Sequence, residues 1–133
     1  MENIELIKLA KEARSKAYAP YSRFFVGAAL LCKSGKVYTG CNVENASYGA
    51  TVCAERVALG NAIANGESQF VKIAIVGGKS TDDKPCFPCG ICRQFMSELC
   101  AKDLEVVLSD GDKCISYKLS ELLPHSFNEG ILR

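Results

Sequence analysis

The sequence predicts an α/β domain, a three-layer α/β/α sandwich built on a mixed sheet of about five strands. Segments with helical periodicity alternate with short β-branched runs, and this order is typical of a sheet covered by helices on both faces. The 133 residues suit a single domain, and their 48% hydrophobic content is enough to form a core. We therefore expect residues 1–133 to fold as one domain.

The first elements are a helix and a hairpin. Apolar residues recur at helical spacing within residues 4–17, which predicts the first helix. The apolar runs 24–31 and 36–43 then flank "KSG", a turn signal, so we expect two antiparallel strands there.

The remaining elements continue the alternation. The run "ATVCAERVALGNAIAN" predicts a second helix over residues 50–65, ending before Gly66. A β-branched run over 70–76 predicts a buried strand. We then expect a third helix over 89–101, strands over 104–109 and 114–119 around "DGD", and a last turn at "SELL" before Pro124.

The charge pattern excludes several classes of partner. Sixteen basic and fifteen acidic residues give a formal charge of +1 without a basic block, so we expect no binding to nucleic acid. The charged N-terminal segment lacks the apolar core of a signal peptide, and no later stretch approaches the roughly 20 apolar residues of a membrane span. We therefore expect a cytoplasmic protein that does not interact with membranes.

Three of the eight cysteines stand at even spacing in "PCFPCGICR", namely Cys86, Cys89 and Cys92. In a reducing compartment such a cluster indicates a metal site or catalysis more often than a disulfide framework. Thiolates are preferred ligands of zinc, which binds four groups in a tetrahedron. The sequence thus predicts a metal site based on sulfur.

Another thiol and a carboxylate occur in "VCAERVALG", where Cys53 begins a helical pattern and Glu55 follows. Residues two apart point in different directions along a helix, but at its tip both can face one pocket. The positive ends of two helices would stabilise thiolates there. Three thiolates leave one zinc position for water and catalysis, whereas Cys86 as a fourth ligand would make the site structural. The spacing leaves both arrangements open.

The residues resemble those of the zinc-dependent cytidine deaminases. "CAE" followed 33 residues later by "PCGIC" is similar to the signature of zinc deaminases. The resemblance extends, in order, over "AYAPYSRFFVGAALL", "GCNVENASYG", "CAER", "PCGICRQ" and "ELLP". It implies a cytidine deaminase fold, one zinc per subunit, and hydrolysis of cytidine and 2′-deoxycytidine to uridine and 2′-deoxyuridine with release of ammonia. Water activated by zinc would attack carbon 4 of the cytosine ring.

The resemblance also implies roles for individual residues. The zinc ligands would be Cys53, Cys89 and Cys92, and Glu55 would move the protons. The implied substrate-binding residues are Asn42 and Glu44 for the ribose hydroxyls, Phe24 and Ala54 for the base, and Tyr48 and Phe127 across subunit contacts. The short chain is similar to the homotetrameric branch of the family, in which neighbouring subunits complete the active sites.

Two residues are predicted to support the zinc ligands. Three thiolates donate charge to zinc and weaken its acidity, so we expect Arg56 to donate hydrogen bonds to their sulfurs, with help from Gln94. A departure from the family pattern is Cys86, which the loop over residues 80–87 could place as a rival ligand.

Two other functions remain open at this point. One is a deaminase for a cytosine-containing antibiotic such as blasticidin, although "NVENASYG" fits a ribose better. The other is an interaction module stabilised by a four-sulfur zinc site, in which Glu55 would be dispensable.

Overall fold

A five-stranded sheet forms the centre of the protein in the computed structural model, which describes residues 1–79 and 84–132. Its strands are β1 (Phe25–Cys32), β2 (Val37–Cys41), β3 (Phe70–Gly78), β4 (Glu105–Asp110) and β5 (Lys113–Lys118). They lie in the order β2-β1-β3-β4-β5. The pair β3 and β4 is parallel and the other neighbouring pairs are antiparallel. The predicted mixed sheet of five strands is confirmed.

Helices cover both faces of this sheet. In the described part of the chain they are α1 (Asn3–Arg14), α2 (Ala54–Ala64), α3 (Gly90–Leu99), α4 (Leu119–Leu122) and α5 (Glu129–Leu132). Alternate residues of β1 face opposite layers, because side chains alternate along a strand. Ala28 and Leu30 pack in the core formed with α2 and α3, whereas Ala29 packs in the core formed with α1. The three-layer α/β/α architecture is therefore confirmed.

Three predicted helix bounds are wrong at their ends. The first helix stops at Arg14 rather than at residue 17. The second begins at Ala54 rather than at residue 50, because Val52 pairs with Val43 in an isolated bridge and Cys53 has an extended backbone. The third covers Gly90–Leu99 rather than 89–101. Within residues 1–79 and 84–132, no helix has the length and hydrophobicity needed to cross a membrane.

Gly40 of β2 fixes how closely α2 approaches the sheet. A Cβ atom at this position would lie 2.6 Å from the Ala54 carbonyl oxygen and 2.5 Å from the Ala58 backbone nitrogen. Such distances are too short for real Cβ contacts, so only glycine allows the first turn of α2 to lie this near the strand. The close packing places the start of α2 beside the end of β2, where the candidate site is formed.

Candidate active site

Two helices begin with a cysteine at the N-cap position. Cys53 precedes α2 and Cys89 precedes α3, and both have extended backbone angles. Ser, Thr, Asp or Asn at this position usually accepts a hydrogen bond from the first turn. Neither cysteine side chain makes a capping hydrogen bond, so both sulfurs are available to another partner. Cys92, in the first turn of α3, is fully buried.

The two helix starts bring three sulfur atoms together. The Sγ atoms of Cys53, Cys89 and Cys92 all lie within 4.8 Å of one another, and those of Cys53 and Cys89 are 3.6 Å apart. Tetrahedral zinc with Zn–S bonds of about 2.3 Å requires sulfur separations of roughly 3.8 Å. The cluster therefore fits one zinc ion with a fourth position left over. Cys86 lies outside this group of described residues.

Hydrogen bonds favour the thiolate form of Cys53. The hydrogen bond from Cys92, followed by that from Arg56, lowers the pKa of Cys53 to about 5, although burial opposes the shift. The same hydrogen bond to Cys53 raises the pKa of Cys92, and burial adds to the increase. One thiolate is thus stabilised before any cation binds, and the positive helix N-termini favour it further.

Arg56 lies beside the cluster, next to Cys53. Its Nη2 atom donates a hydrogen bond of 3.7 Å to Cys53 Sγ, and a second of 3.4 Å, long for an oxygen acceptor, to the Thr51 carbonyl. Its Nε atom is buried without a hydrogen-bond partner among the described residues. The guanidinium therefore faces a sulfur-rich environment rather than a carboxylate at the surface.

Glu55 lies in the first turn of α2, beside the sulfur cluster. Its side chain is only 3% exposed. Burial raises the pKa of this carboxyl to about 7, and the negative charge of Cys53 adds to the effect. A bound divalent cation would oppose the increase. A carboxyl with a pKa near neutral pH can both accept and return a proton, as general acid and base catalysis requires.

Asn42 and Glu44 hold the backbone of residues 21–26 through hydrogen bonds. The Asn42 side chain accepts a hydrogen bond from the Val26 amide and donates one to the Phe24 carbonyl, each 2.8 Å long. Glu44 accepts hydrogen bonds from the backbone amides of Tyr21 and Ser22 at 3.0 and 3.1 Å, and from the Ser22 hydroxyl.

Both side chains keep capacity for a ligand. The hydrogen bond from the Ser22 hydroxyl is the main cause that lowers the pKa of Glu44, so the carboxylate stays ionised. A carboxylate offers about four acceptor positions, and an amide group has two N–H donors. Asn42 and Glu44 therefore have a structural role and can still bind hydroxyl groups.

A cavity of about 210 Å³ joins these groups. The predicted residues that line it are Phe24, Asn42, Glu44, Cys53, Ala54, Glu55 and Cys89. The structure thus brings together two of the three predicted zinc ligands, the predicted proton carrier and four predicted substrate-binding residues in one pocket. Its small volume suits a ligand of few atoms.

Cys92 belongs to the sulfur cluster and Arg56 contacts it without either lining the cavity, and three other predicted residues neither line the cavity nor belong to the cluster. Tyr48 is 73% exposed, packs edge-on against Tyr21, and lines an adjoining cavity that also contains Glu44. Phe127 is 53% exposed. Gln94, expected to support the zinc ligands, instead donates a hydrogen bond of 2.8 Å to the Phe127 carbonyl oxygen. This contact ties α3 to the C-terminal segment.

Several site residues are missed by sequence reasoning. Arg93 donates hydrogen bonds of 2.7 Å to the carbonyls of Pro88 and Leu122, and so fixes the turn before Cys89. Its position next to Cys92 is the only signal in the sequence. Phe87 also lines the cavity, and so does Cys86, for which the sequence predicts only the role of a rival ligand. Residues 80–83 of the loop expected to position Cys86 lie outside the described residues.

The fold and the sulfur cluster beside a buried carboxyl define a zinc-dependent hydrolase. Residues 1–108 match the model of the cytidine and deoxycytidylate deaminase zinc-binding region. The chain belongs to the cytidine and deoxycytidylate deaminase family. The predicted family and its zinc cofactor are confirmed.

Similar proteins support this assignment over most of the chain. A cytidine deaminase from Halalkalibacterium halodurans is 51% identical over 96% of this chain and 95% of its own length. The crystal structure of cytidine deaminase from Burkholderia pseudomallei superposes with a TM-score of 0.88, at 51% identity, over 96% of this chain and all of that one. A blasticidin-S deaminase from Bacillus cereus is 30% identical over 92% of this chain and 90% of its length.

Proposed function

We infer that the protein hydrolyses cytidine and 2′-deoxycytidine to uridine and 2′-deoxyuridine, with release of ammonia. The observation that carries this inference is that Cys53, Cys89 and Glu55 line the same cavity as Asn42 and Glu44. A metal-binding end and a hydroxyl-binding end thus lie in one small pocket, as a nucleoside requires. The similar cytidine deaminases support the same substrate class.

Cys53, Cys89 and Cys92 hold the zinc ion. Their separations suit tetrahedral coordination, and three protein ligands leave the open position typical of catalytic zinc. Zinc bound there supplies the Lewis acidity that makes water a nucleophile at neutral pH.

Glu55 carries the protons of the reaction. It accepts a proton from water as carbon 4 of the ring is attacked and passes this proton to ring nitrogen 3. It then moves the proton of the new hydroxyl group on carbon 4 to the amine, which leaves as ammonia. Cytidine and water thus give uridine and ammonia with all atoms accounted for. Its burial keeps the carboxyl away from bulk water, and its pKa near 7 allows transfer in both directions.

Arg56 adjusts the electrostatics of the ligand set. Three thiolates on a divalent ion leave a net charge of −1, which opposes its action as an acid. The Arg56 guanidinium beside Cys53 Sγ supplies a compensating positive charge. Gln94 acts on Phe127 and has an indirect role in the site.

Phe24 and Ala54 contact the base, while Asn42 and Glu44 bind the ribose hydroxyls. Glu44 accepts a hydrogen bond through its remaining lone pairs, and Asn42 donates its second N–H. The hydrogen bonds that both residues already make to the 21–26 backbone fix their positions before substrate enters. This preorganisation reduces the entropy lost on binding.

The active unit is a homotetramer whose sites are completed by neighbouring subunits. Tyr48 and Phe127 are more than half exposed, and Phe87 at the cavity rim is 44% exposed. Exposed aromatic side chains are typical of a surface that another chain covers. Residues 1–133 act as one domain in each subunit. The eight free cysteines suit a reducing compartment such as the cytoplasm.

The decisive experiment measures deamination directly. Purified protein with one zinc per subunit is incubated with cytidine, and loss of the cytosine absorbance is followed together with ammonia release. Cytosine and cytidine monophosphate serve as controls for the need for a ribose and for its free 5′-hydroxyl. Blasticidin S is the competing substrate, and faster turnover of it than of cytidine would assign the antibiotic deaminase activity instead. Absence of turnover with all four would favour the interaction module.

A further inference from the structure

Cys86 and Phe24 separate the catalytic cavity from a second one. Both residues line the 210 Å³ cavity that contains Glu55, and both also line a neighbouring cavity of about 250 Å³. The two cavities therefore share these two side chains as part of their walls. Removing part of this wall would extend the space available to a substrate.

The position of Cys86 along the cavity indicates which part of a substrate it faces. Cys86 lines the cavity together with Cys53, Glu55 and Cys89, and the charges of Glu55 and Cys53 act on its thiol, so it lies near the metal end of the pocket. Under the proposed function, carbon 4 of the pyrimidine lies at this end and ring nitrogen 3 faces Glu55. Carbon 5 is the remaining ring atom next to carbon 4.

Gly77 prevents the thiol from moving away from the cavity. A Cβ atom added to Gly77 would lie 2.6 Å from Cys86 Sγ, so the sulfur rests directly against the backbone of β3. Gly77 lies near the end of β3 and is paired with Val26 of β1, and the backbone of a paired strand opposes displacement. Movement of the Cys86 sulfur toward β3 therefore requires a shift of this strand.

We propose that Cys86 is a specificity-determining residue, which limits the size of the group that the pyrimidine carries at carbon 5. The proposal rests on the proposed deamination of cytidine. It gives the cysteine that departs from the family pattern a role in substrate selection rather than in metal binding.

The test compares two substrates with variants of opposite size. Values of kcat/KM are measured for cytidine and 5-methylcytidine with the zinc-loaded wild type, Cys86→Ala and Cys86→Val. One methyl group in a tight pocket changes kcat/KM by about tenfold or more. We expect the ratio of the 5-methylcytidine value to the cytidine value to rise roughly tenfold in Cys86→Ala and to fall similarly in Cys86→Val.

Cys100→Ala is the matched control. Cys100 packs against the same core cluster as Cys86 but lies at the end of α3, outside the cavity lining. Loss of its sulfur should leave the ratio of the two kcat/KM values unchanged. This control therefore distinguishes a local effect at Cys86 from a general loosening of the core. Zinc content and melting temperature of every variant show whether the fold is kept.

The outcomes distinguish this proposal from the proposed function. Failure of the wild type to deaminate cytidine contradicts the function itself. The role of Cys86 is overturned if the wild type is active but both Cys86 variants keep the wild-type ratio of the two kcat/KM values. It is also overturned if Cys100→Ala changes this ratio in the same way as the Cys86 variants. If Cys86→Ala does not fold, Cys86→Val and the milder Cys86→Ser provide the same comparison. The ratio of the 5-methylcytidine value to the cytidine value should then fall for valine and rise for serine.

Discussion

Replacing Glu55 by glutamine should remove activity and at the same time stabilise the protein. The substitution keeps the shape of the side chain but removes its ability to exchange protons. General acid and base catalysis contributes about 100-fold to 10,000-fold, so kcat should fall by that factor. This loss corresponds to roughly 3 to 5 kcal/mol of transition-state stabilisation. Zinc should remain bound, because Glu55 is not among the clustered thiols.

The gain in stability follows from the burial of the carboxyl. Its pKa rises from 4.5 to about 7 on folding. Between these values the folded protein keeps a proton that the unfolded chain has released, so stability falls as pH rises through this window. Above pH 7 the full penalty is present, and at about 1.36 kcal/mol per pH unit it amounts to roughly 3 kcal/mol. Glutamine carries no charge and avoids this penalty.

Urea unfolding of zinc-depleted protein measures the effect, because a bound cation would oppose the pKa increase. The free energy of unfolding of Glu55→Gln should exceed that of the wild type by up to about 3 kcal/mol well above pH 7. The two free energies should converge near pH 4.5. Glu98→Gln, which alters an exposed carboxylate on α3, should change neither property. Normal turnover in Glu55→Gln, or a loss of stability at high pH, would refute this account of the site.

Three further predictions concern the ligands and the pocket wall. Arg56→Ala should weaken zinc binding by about 10-fold to 100-fold in competition with a chromophoric chelator, because Cys53 loses its charged neighbour; unchanged affinity would assign Arg56 to a surface role. Asn42→Ala should lower the free energy of unfolding by about 1 to 3 kcal/mol, because the Val26 amide and the Phe24 carbonyl lose their partner. Urea unfolding measures this, and wild-type stability would contradict it. Zinc at about 1,000 times its Kd should stabilise the protein by about 4 kcal/mol over the chelated form, and equal melting temperatures would show that no zinc binds the folded state.

The fold was predictable because its signals are local. Periodicity and turn residues identify α1, the hairpin of β1 and β2, and the later strands within a few residues. The helix ends were less well predicted. The start of α2 depends on the bridge between Val43 and Val52, and the helical pattern that begins at Ala50 contains no sign of this contact.

The candidate site was predictable only in part. The resemblance supplied the roles of Cys53, Glu55, Asn42 and Glu44, and the cavity contains all four. The partner of Gln94 was not predictable, because the Phe127 carbonyl is brought to it by the path of the C-terminal segment. The use of Asn42 and Glu44 to hold the 21–26 backbone is likewise visible only in three dimensions.

By itself, the sequence determined the alternation of helices and strands and the spacing of the thiols around "CAE" and "PCGIC". Both are properties of neighbouring residues, so the chain order contains them. The tertiary structure decided that Cys86 lies outside the group of three sulfurs and against Gly77. Spacing cannot separate one cysteine from another three residues away. Only the packing of a turn against a strand fixes which sulfur reaches the metal and which lines the pocket.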